Sequence, residues 1–301
     1  MAYLGHQNGE DPKEEEALMP GVFVVTDSSC DLEQDDIDPF NIEIVPLTIR
    51  FGSEEFTDRR DLSVEDFYRR MASTEDLPQT ACPSPGAFER AFRIARDADA
   101  EAVVCLTISS DLSTTFQSAR TAAAAAAAAE GRIVVHVIDS RTVSSGLGTL
   151  VIEAAKVAAE GADIGAVLRR VSDLIPRTHV LAALNTLENL KKGGRIGGAT
   201  AMVGSLLSIK PVIDLTGGVV HEAGKARTRK RALQMLSERM GAAGLIEDVA
   251  VMHCGAPDID QFLDLIAPRL PREAIRIGTL GAVVGVHGGA QMIGVSWIAA
   301  A

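Results

Sequence analysis

Five hydroxyl side chains crowd into the seven residues Ser109-Ser110-Asp111-Leu112-Ser113-Thr114-Thr115. They follow the apolar run Ala102 to Ile108 and precede a long stretch of helix formers. Strand, hydroxyl-rich loop and helix in that order set Ser113 and Thr114 at a helix start, beyond the C-terminal end of a strand. Open α/β sheets bind ligands at such places. Free N–H groups and the positive end of the helix dipole favour an anion there. The chemistry on offer is the binding of a carboxylate or a phosphate. Plain N-capping by Ser113 would use the same residues, and the spacing leaves both readings open.

Other candidates are more scattered. Thr80 precedes Pro83-Ser84-Pro85, where Ser84 supplies the helix cap and leaves Thr80 as a solvent-facing loop threonine or a residue free for another role. Arg195 sits within Gly193-Gly194-Arg195-Ile196-Gly197-Gly198. Glycines permit close backbone approach and arginine clamps carboxylates or phosphates, although a helix end followed by a turn has the same composition. Lys225, Arg227, Arg229, Lys230 and Arg231 form the densest basic run, which is either a solvated face or an anion contact. His287 precedes Gly288-Gly289 and reads as the end of a strand. Asp27 and Asp139 each end a strand and precede a serine, so metal or base chemistry competes with turn formation. Cys30, Cys82, Cys105 and Cys254 show no metal or redox spacing. No nucleophile elbow, dinucleotide fingerprint, P-loop or kinase signature is present, so no catalytic residue is assigned.

The elements that must hold these residues follow from periodicity and caps. Strands are expected at 22–26, 42–47, 102–108 and 133–138. Helices are expected at 64–71 capped by Ser63, from Pro85 to Arg96, from Thr114 through the alanine run 122–129, at 149–160 behind Gly146 and Gly148, and at 163–175. This alternation predicts an α/β fold with a parallel sheet. The later half predicts strands at 180–184, 212–215, 219–222, 249–253, 275–280 and 293–298, with an apolar run from Met202 to Leu207 that Lys210-Pro211 breaks. A Thr216-Gly217-Gly218 turn joins two of them, and helices are expected at 229–240 and 258–265. We expect an N-terminal domain over 21–175 and a C-terminal α/β domain over 176–301, with N-terminal segments able to join the second. A cleft between two such domains is a common ligand site.

Composition narrows the function. The chain has 301 residues and a net charge of −12, which argues against nucleic acid as the main ligand because phosphate backbones need clustered cations. No apolar run is long enough to cross a bilayer, so no integral membrane association is expected. Residues 1–20 are polar and acidic, without the apolar core of a signal peptide, and read as a disordered tail on a cytoplasmic protein.

An ordered series of motifs is similar to that of the DegV family. Thr26-Asp27-Ser28-Ser29-Cys30-Asp31-Leu32, Val45-Pro46-Leu47 with Asp58, and Pro78 to Ser84 resemble its opening blocks. Ser109 to Ala119, Asp139-Ser140 with Gly146 and Gly148, and Leu187 to Ile196 resemble the next. Ile209-Lys210-Pro211, Gly224 to Arg227 and Val286-His287 complete a series over residues 22–298. The resemblance implies a two-domain α/β protein that holds one long-chain fatty acid between its domains, with no other cofactor. It also implies a partner, a separate fatty acid kinase that makes the acyl phosphate. Thr80, Ser113 and the Thr114 N–H would hold the carboxylate. Arg195, Arg227 and His287 would lie near the head group or face the kinase. Here Ala81 and Cys82 replace a usual Ser-Gln, Thr114 replaces a glycine, and Gly289-Ala290-Gln291 replaces Gly-Pro-Gly. A stand-alone enzyme acting on a small phosphorylated or carboxylated metabolite, or a lipid-responsive sensor, are the alternatives.

Overall fold

The structure is a computed structural model that describes residues 21–128, 133–205 and 209–301, the side chains of 202–205 aside. The expected acidic tail, residue 129 of the alanine run and the end of the apolar run 202–207 lie outside the described residues.

The chain begins with Val22–Asp27 (β1), the short helix Gln34–Ile37 (α1), Glu43–Val45 (β2), Thr48–Phe51 (β3) and Glu54–Thr57 (β4). Then come Val64–Ser73 (α2), Gln79–Ala81 (β5), Pro85–Asp97 (α3), Ala102–Thr107 (β6), Thr115–Ala128 (α4) and Val134–Asp139 (β7). Two helices, Ser145–Ala159 (α5) and Ile164–Leu174 (α6), lead into Thr178–Ala183 (β8) and Glu188–Lys192 (α7). The rest is Lys210–Asp214 (β9), His221–Ala226 (β10), Arg229–Gly241 (α8), Ile246–His253 (β11), Ile259–Ile266 (α9), Arg276–Thr279 (β12), Ala282–Gly288 (α10) and Ile293–Ala299 (β13).

The described residues form three sheets. β2-β1-β6-β7 is wholly parallel, as βαβ crossovers require. β10-β9-β8-β13-β11-β12 is antiparallel except for its last pair. β4-β3-β5 is a small antiparallel sheet. The fold is therefore α/β, with a parallel sheet, flanking helices and a second large sheet.

Alternation along the buried strands sorts the layers. Phe23, Val25, Val103 and Cys105 face α3 and α4, against Phe88, Phe92, Ala119 and Ala122. Val22, Val24, Val104 and Leu106 face the other way, against Leu147, Leu150 and Val151 of α5. That same core continues through α5 and α6 to Val180, Ala182, Ile213 and Met252 on the second sheet. Leu181, Val251, Val295 and Trp297 point to that sheet's outer side, against Leu233, Leu236 and Phe262 of α8 and α9. The change of sheet falls between α6 and β8, but no gap in the core marks it.

Two caps fall where the sequence placed them: Ser63 and Ser84 accept hydrogen bonds from the N–H groups of Asp66 and Ala87, and Pro85 occupies the first turn of α3. Asp163, expected as the first residue of its helix, is instead the cap of α6 and accepts from the Ala166 N–H. Four other expectations need correction. The run 42–47 is not one strand: the chain leaves the parallel sheet at Pro46, which has no N–H to pair, and β3 joins the small sheet. Thr80 lies on strand β5, not in a loop. Gly146 and Gly148 lie inside α5, where their missing side chains allow close packing, and do not precede it. His287 is not at a strand end but in the last turn of α10. The local run Val283 to Val286 is apolar enough for either state, and packing on the small sheet decides for the helix: Ala282, Val283 and Val286 bury against Leu47, Ile49 and Phe67.

Candidate functional site

One cleft joins these parts. It holds a cavity of about 90 Å³ within roughly 830 Å³ of space counted to the open mouth. Its walls are almost wholly apolar: Ile108, Leu112 and Val143 from the parallel-sheet side, Val180, Ile213 and Met252 from the second sheet. Polar side chains at the lining are few, namely Thr80, Ser113, Arg195 and His287, with Ser144 and Ser145 at the start of α5.

The first four are brought together by four separate elements. Ser113 ends the loop after β6; its Oγ accepts from the Thr115 N–H at 3.3 Å and lies 2.8 Å from Thr115 Oγ1. It is thus a cap that also faces the cavity. The Thr114 N–H has no hydrogen-bond partner among the described residues, whereas the Thr114 hydroxyl turns away and donates to Cys82 Sγ at 3.2 Å. Ser118 Oγ donates to the Pro83 carbonyl at 2.5 Å and so fastens the segment bearing Thr80 to α4. Register does the rest: Thr80 pairs with Ile49 across the small sheet, and its Oγ1 lies 3.1 Å from His287 Nε2.

Arg195 follows α7, whose last turn closes on Gly193 and on Gly194 at φ 70°. Its Nε donates to the Leu112 carbonyl at 3.1 Å and its Nη1 to the Gly193 carbonyl at 2.7 Å. The guanidinium therefore bridges from the second sheet's side to the hydroxyl-rich loop. Gly193 has a further role, because any Cβ there would collide with the His287 ring. Burial first, and Arg195 second, push the His287 imidazole down to about 4, so it is neutral at neutral pH. Its Nδ1 is buried with no hydrogen-bond partner among the described residues.

Arg227 is not part of this group. It is exposed, lies between β10 and α8, and does not line the cavity. Its basic neighbours are largely neutralised: Arg229 pairs with Asp258 at 2.9 Å, Arg231 with Glu238 at 2.6 Å and Lys225 with Glu222 at 3.5 Å. The two strand-end carboxylates hold turns. Asp27 accepts from the Ser29 and Ile108 N–H groups, and Asp139 from those of Ser110 and Arg141.

Asp31 entered the sequence analysis only as one residue of the Thr26-to-Leu32 motif, with nothing to mark it as a structural centre. It is buried, and it accepts from Ser144 Oγ at 2.6 Å and from the Gly281 N–H at 3.1 Å. Burial pushes its carboxyl up to about 7, against the pull of Arg59 and of Ser144. Ser144 itself has a backbone φ of 57°, a left-handed value that costs a serine energy. Met252 and Met292, which also line the cavity, carried no distinguishing signal either.

The arrangement can hold an amphipathic acid. The Thr80 and Ser113 hydroxyls, the His287 imidazole and the Arg195 guanidinium are the polar part of the lining, with the Thr114 N–H next to Ser113 in the chain, and most of the rest is apolar.

Comparison with known proteins agrees in kind. A family profile described as an uncharacterised protein of the DegV family matches residues 22–300. A DegV domain-containing protein of Halalkalibacterium halodurans is 32% identical over 284 residues, covering 93% of this chain and 99% of its own. One of Streptomyces coelicolor is 31% identical over 278 residues, covering 91% and 97%. Among solved structures, a Thermus thermophilus DegV family protein described for fatty acid binding superposes with a TM-score of 0.84 at 32% identity, covering 93% of this chain and 99% of that one. A stearic acid-binding protein of Eubacterium ventriosum gives 0.83 at 25%, covering 92% and 97%.

Proposed function

This chain belongs to the DegV family, and from that premise we propose that it carries one long-chain fatty acid and presents the carboxylate to a separate fatty acid kinase. The observation that supports the reading is the cleft itself, apolar apart from Ser144 and Ser145 at the start of α5 and the polar group of Thr80, Ser113, Arg195 and His287. Its similarity to proteins described as binding fatty acids agrees with that lining.

In this reading the Ser113 hydroxyl and the Thr114 N–H donate to the carboxylate, and Arg195 supplies the compensating charge. Neutral His287 donates from Nε2 to Thr80 Oγ1, which frees the Thr80 proton for the ligand. The tail lies against the second sheet. Burying each methylene contributes about 0.8 kcal/mol, so a long tail contributes on the order of 10 kcal/mol. The head group then sets orientation more than affinity. Arg227, exposed and outside the cleft, belongs to the partner-facing surface. The acid is the only small molecule the carrier needs, and phosphoryl transfer is the kinase's work, in the cytoplasm.

The test is mass spectrometry of lipid extracted from protein purified without added ligand, followed by incubation with kinase and ATP. One fatty acid per chain, converted to acyl phosphate only when the kinase is present, is the expected result. Protein that contains no fatty acid and takes none up sinks the carrier reading. Metal-dependent turnover without a partner would replace it with the enzyme reading, and bound acid that no kinase phosphorylates would leave a sensor.

A further inference from the structure

One cross-strand row runs along the sheet side of the cavity. Ile213 on β9 pairs with Ala182 on β8, and Ala182 with Gly294 on β13. Gly294 pairs with Met252 on β11, and Met252 with Gly278 on β12. Paired residues present their side chains to the same face. Four of these five line the cavity; Gly278 lies just beyond it. The profile along the row is uneven. Ala182 and Gly294 form a trough, with Ile213 as one wall and Met252 as the other.

The two walls differ in stiffness. Ile213 is β-branched and held at χ1. Met252 is unbranched, with a thioether that adapts to irregular space, and it has a glycine on either side. Its side chain rests over one of them: a Cβ on Gly278 would lie 2.9 Å from Met252 Cε and 3.1 Å from Sδ. Over the other glycine there is room. A Cβ on Gly294 would meet nothing closer than the Leu181 and Met252 carbonyl oxygens, at 3.8 and 3.9 Å. Staggered rotamers of one side chain can thus reach either position.

We infer that Met252 is an adjustable stop for the acyl tail and that Gly278, which touches no ligand, is the positioning residue that lets it retract. With the thioether over Gly278 the trough is open to a long unbranched tail. With the thioether over Gly294 the trough is filled behind a shorter one, which preserves the close packing that an empty space would forfeit. The ligand class is unbranched saturated acids over a range of lengths. This rests on the fatty-acid reading above and adds to it the residue pair that sets length.

The test is equilibrium binding of laurate, myristate, palmitate and stearate to the delipidated full chain, as wild type, Gly278→Ala and Gly278→Ala/Met252→Val. Gly278 is in a strand without a positive φ, and the only atoms in the way of an added methyl belong to the Met252 side chain, so the variant should fold. Each buried methylene changes affinity roughly fourfold, and the displaced thioether end occupies the length of about two, so stearate should weaken on the order of tenfold relative to laurate. The double variant should restore stearate binding. A length profile identical to wild type, or an equal loss at every length, overturns the inference. On wild-type protein, the isotope-labelled Met252 methyl resonance should differ between the laurate and stearate complexes, and coincident resonances overturn it as well. If the wild type binds no acid of any length while remaining folded, it is the carrier reading that fails, and the stop fails with it.

Discussion

Ser113 does two jobs with one oxygen. It caps α4 through Thr115, and in the proposed complex it donates to a carboxylate. Removing it should cost about 1 kcal/mol of stability as a cap. A hydrogen bond to a charged group contributes about 1.5–3 kcal/mol, so Ser113→Ala should bind fatty acid about ten- to a hundredfold more weakly. Tail burial is several times larger, so the variant should still copurify with lipid. Its acid should be a poorer kinase substrate, because transfer needs one oxygen held at the right place and angle. Lipid occupancy and phosphorylation rate measured on the same preparation decide the matter. Occupancy falling to nothing would make the head group the anchor. Wild-type values for both would reduce Ser113 to a helix cap.

α5 is the element that joins the two large sheets, and its first turn contains two glycines. Gly148 lies so close to the opening segment that an added Cβ would stand 2.7 Å from the Cys30 carbonyl oxygen and 2.8 Å from Leu32 Cδ2. Gly146 faces the second sheet, with Val180 Cγ2 2.8 Å from a Cβ built there. Alanine is the better helix former by about 1 kcal/mol. At Gly148 the clash is with backbone, which cannot move aside cheaply, so the steric cost of overpacking, about 1–3 kcal/mol, should win. Gly148→Ala is therefore expected to lower the urea midpoint without changing the slope of the transition. A variant as stable as the parent would mean that α5 has slack the distances do not show.

Across the whole molecule, Asp31 ties together segments 113 and 250 residues away, at Ser144 and Gly281. Its carboxyl titrates at about 7 when folded, against 3.8 for the free side chain. The folded state thus holds the proton more tightly. That contribution is full below pH 3.8 and is lost as pH rises towards 7, by up to about 4 kcal/mol. His287 has the opposite sign. Its ordinary value of 6.5 falls to about 4 on folding. Its contribution is full above 6.5 and is lost as pH falls towards 4, by up to about 3 kcal/mol. Relative to wild type, Asp31→Asn should gain stability as pH rises through this window, and His287→Gln should gain as pH falls. Urea unfolding at about pH 4, 5.5 and 7 measures both slopes. Differences that stay flat with pH would show that neither group titrates where its burial places it.

The sequence by itself determined what depends on neighbours along the chain. Periodicity and caps located most of the strands and helices, because a buried strand, a Ser-Pro helix start and a Gly-Gly turn are local physics. The ordered motifs identified the family, and the crowded hydroxyls raised Ser113 as either a ligand contact or a helix cap, a choice the spacing left open. Tertiary structure decided what depends on chains meeting from far apart. Thr80 joins His287 across 207 residues, and Arg195 reaches Leu112 across 83. Neither contact leaves a periodic trace, because the residues share no element. α10 is helical because the small sheet packs on it, and its apolar run suits a strand equally well. Asp31 is a tie and Met252 a wall for the same reason: burial and cross-strand register are properties of the assembled sheets, and no window of sequence contains them.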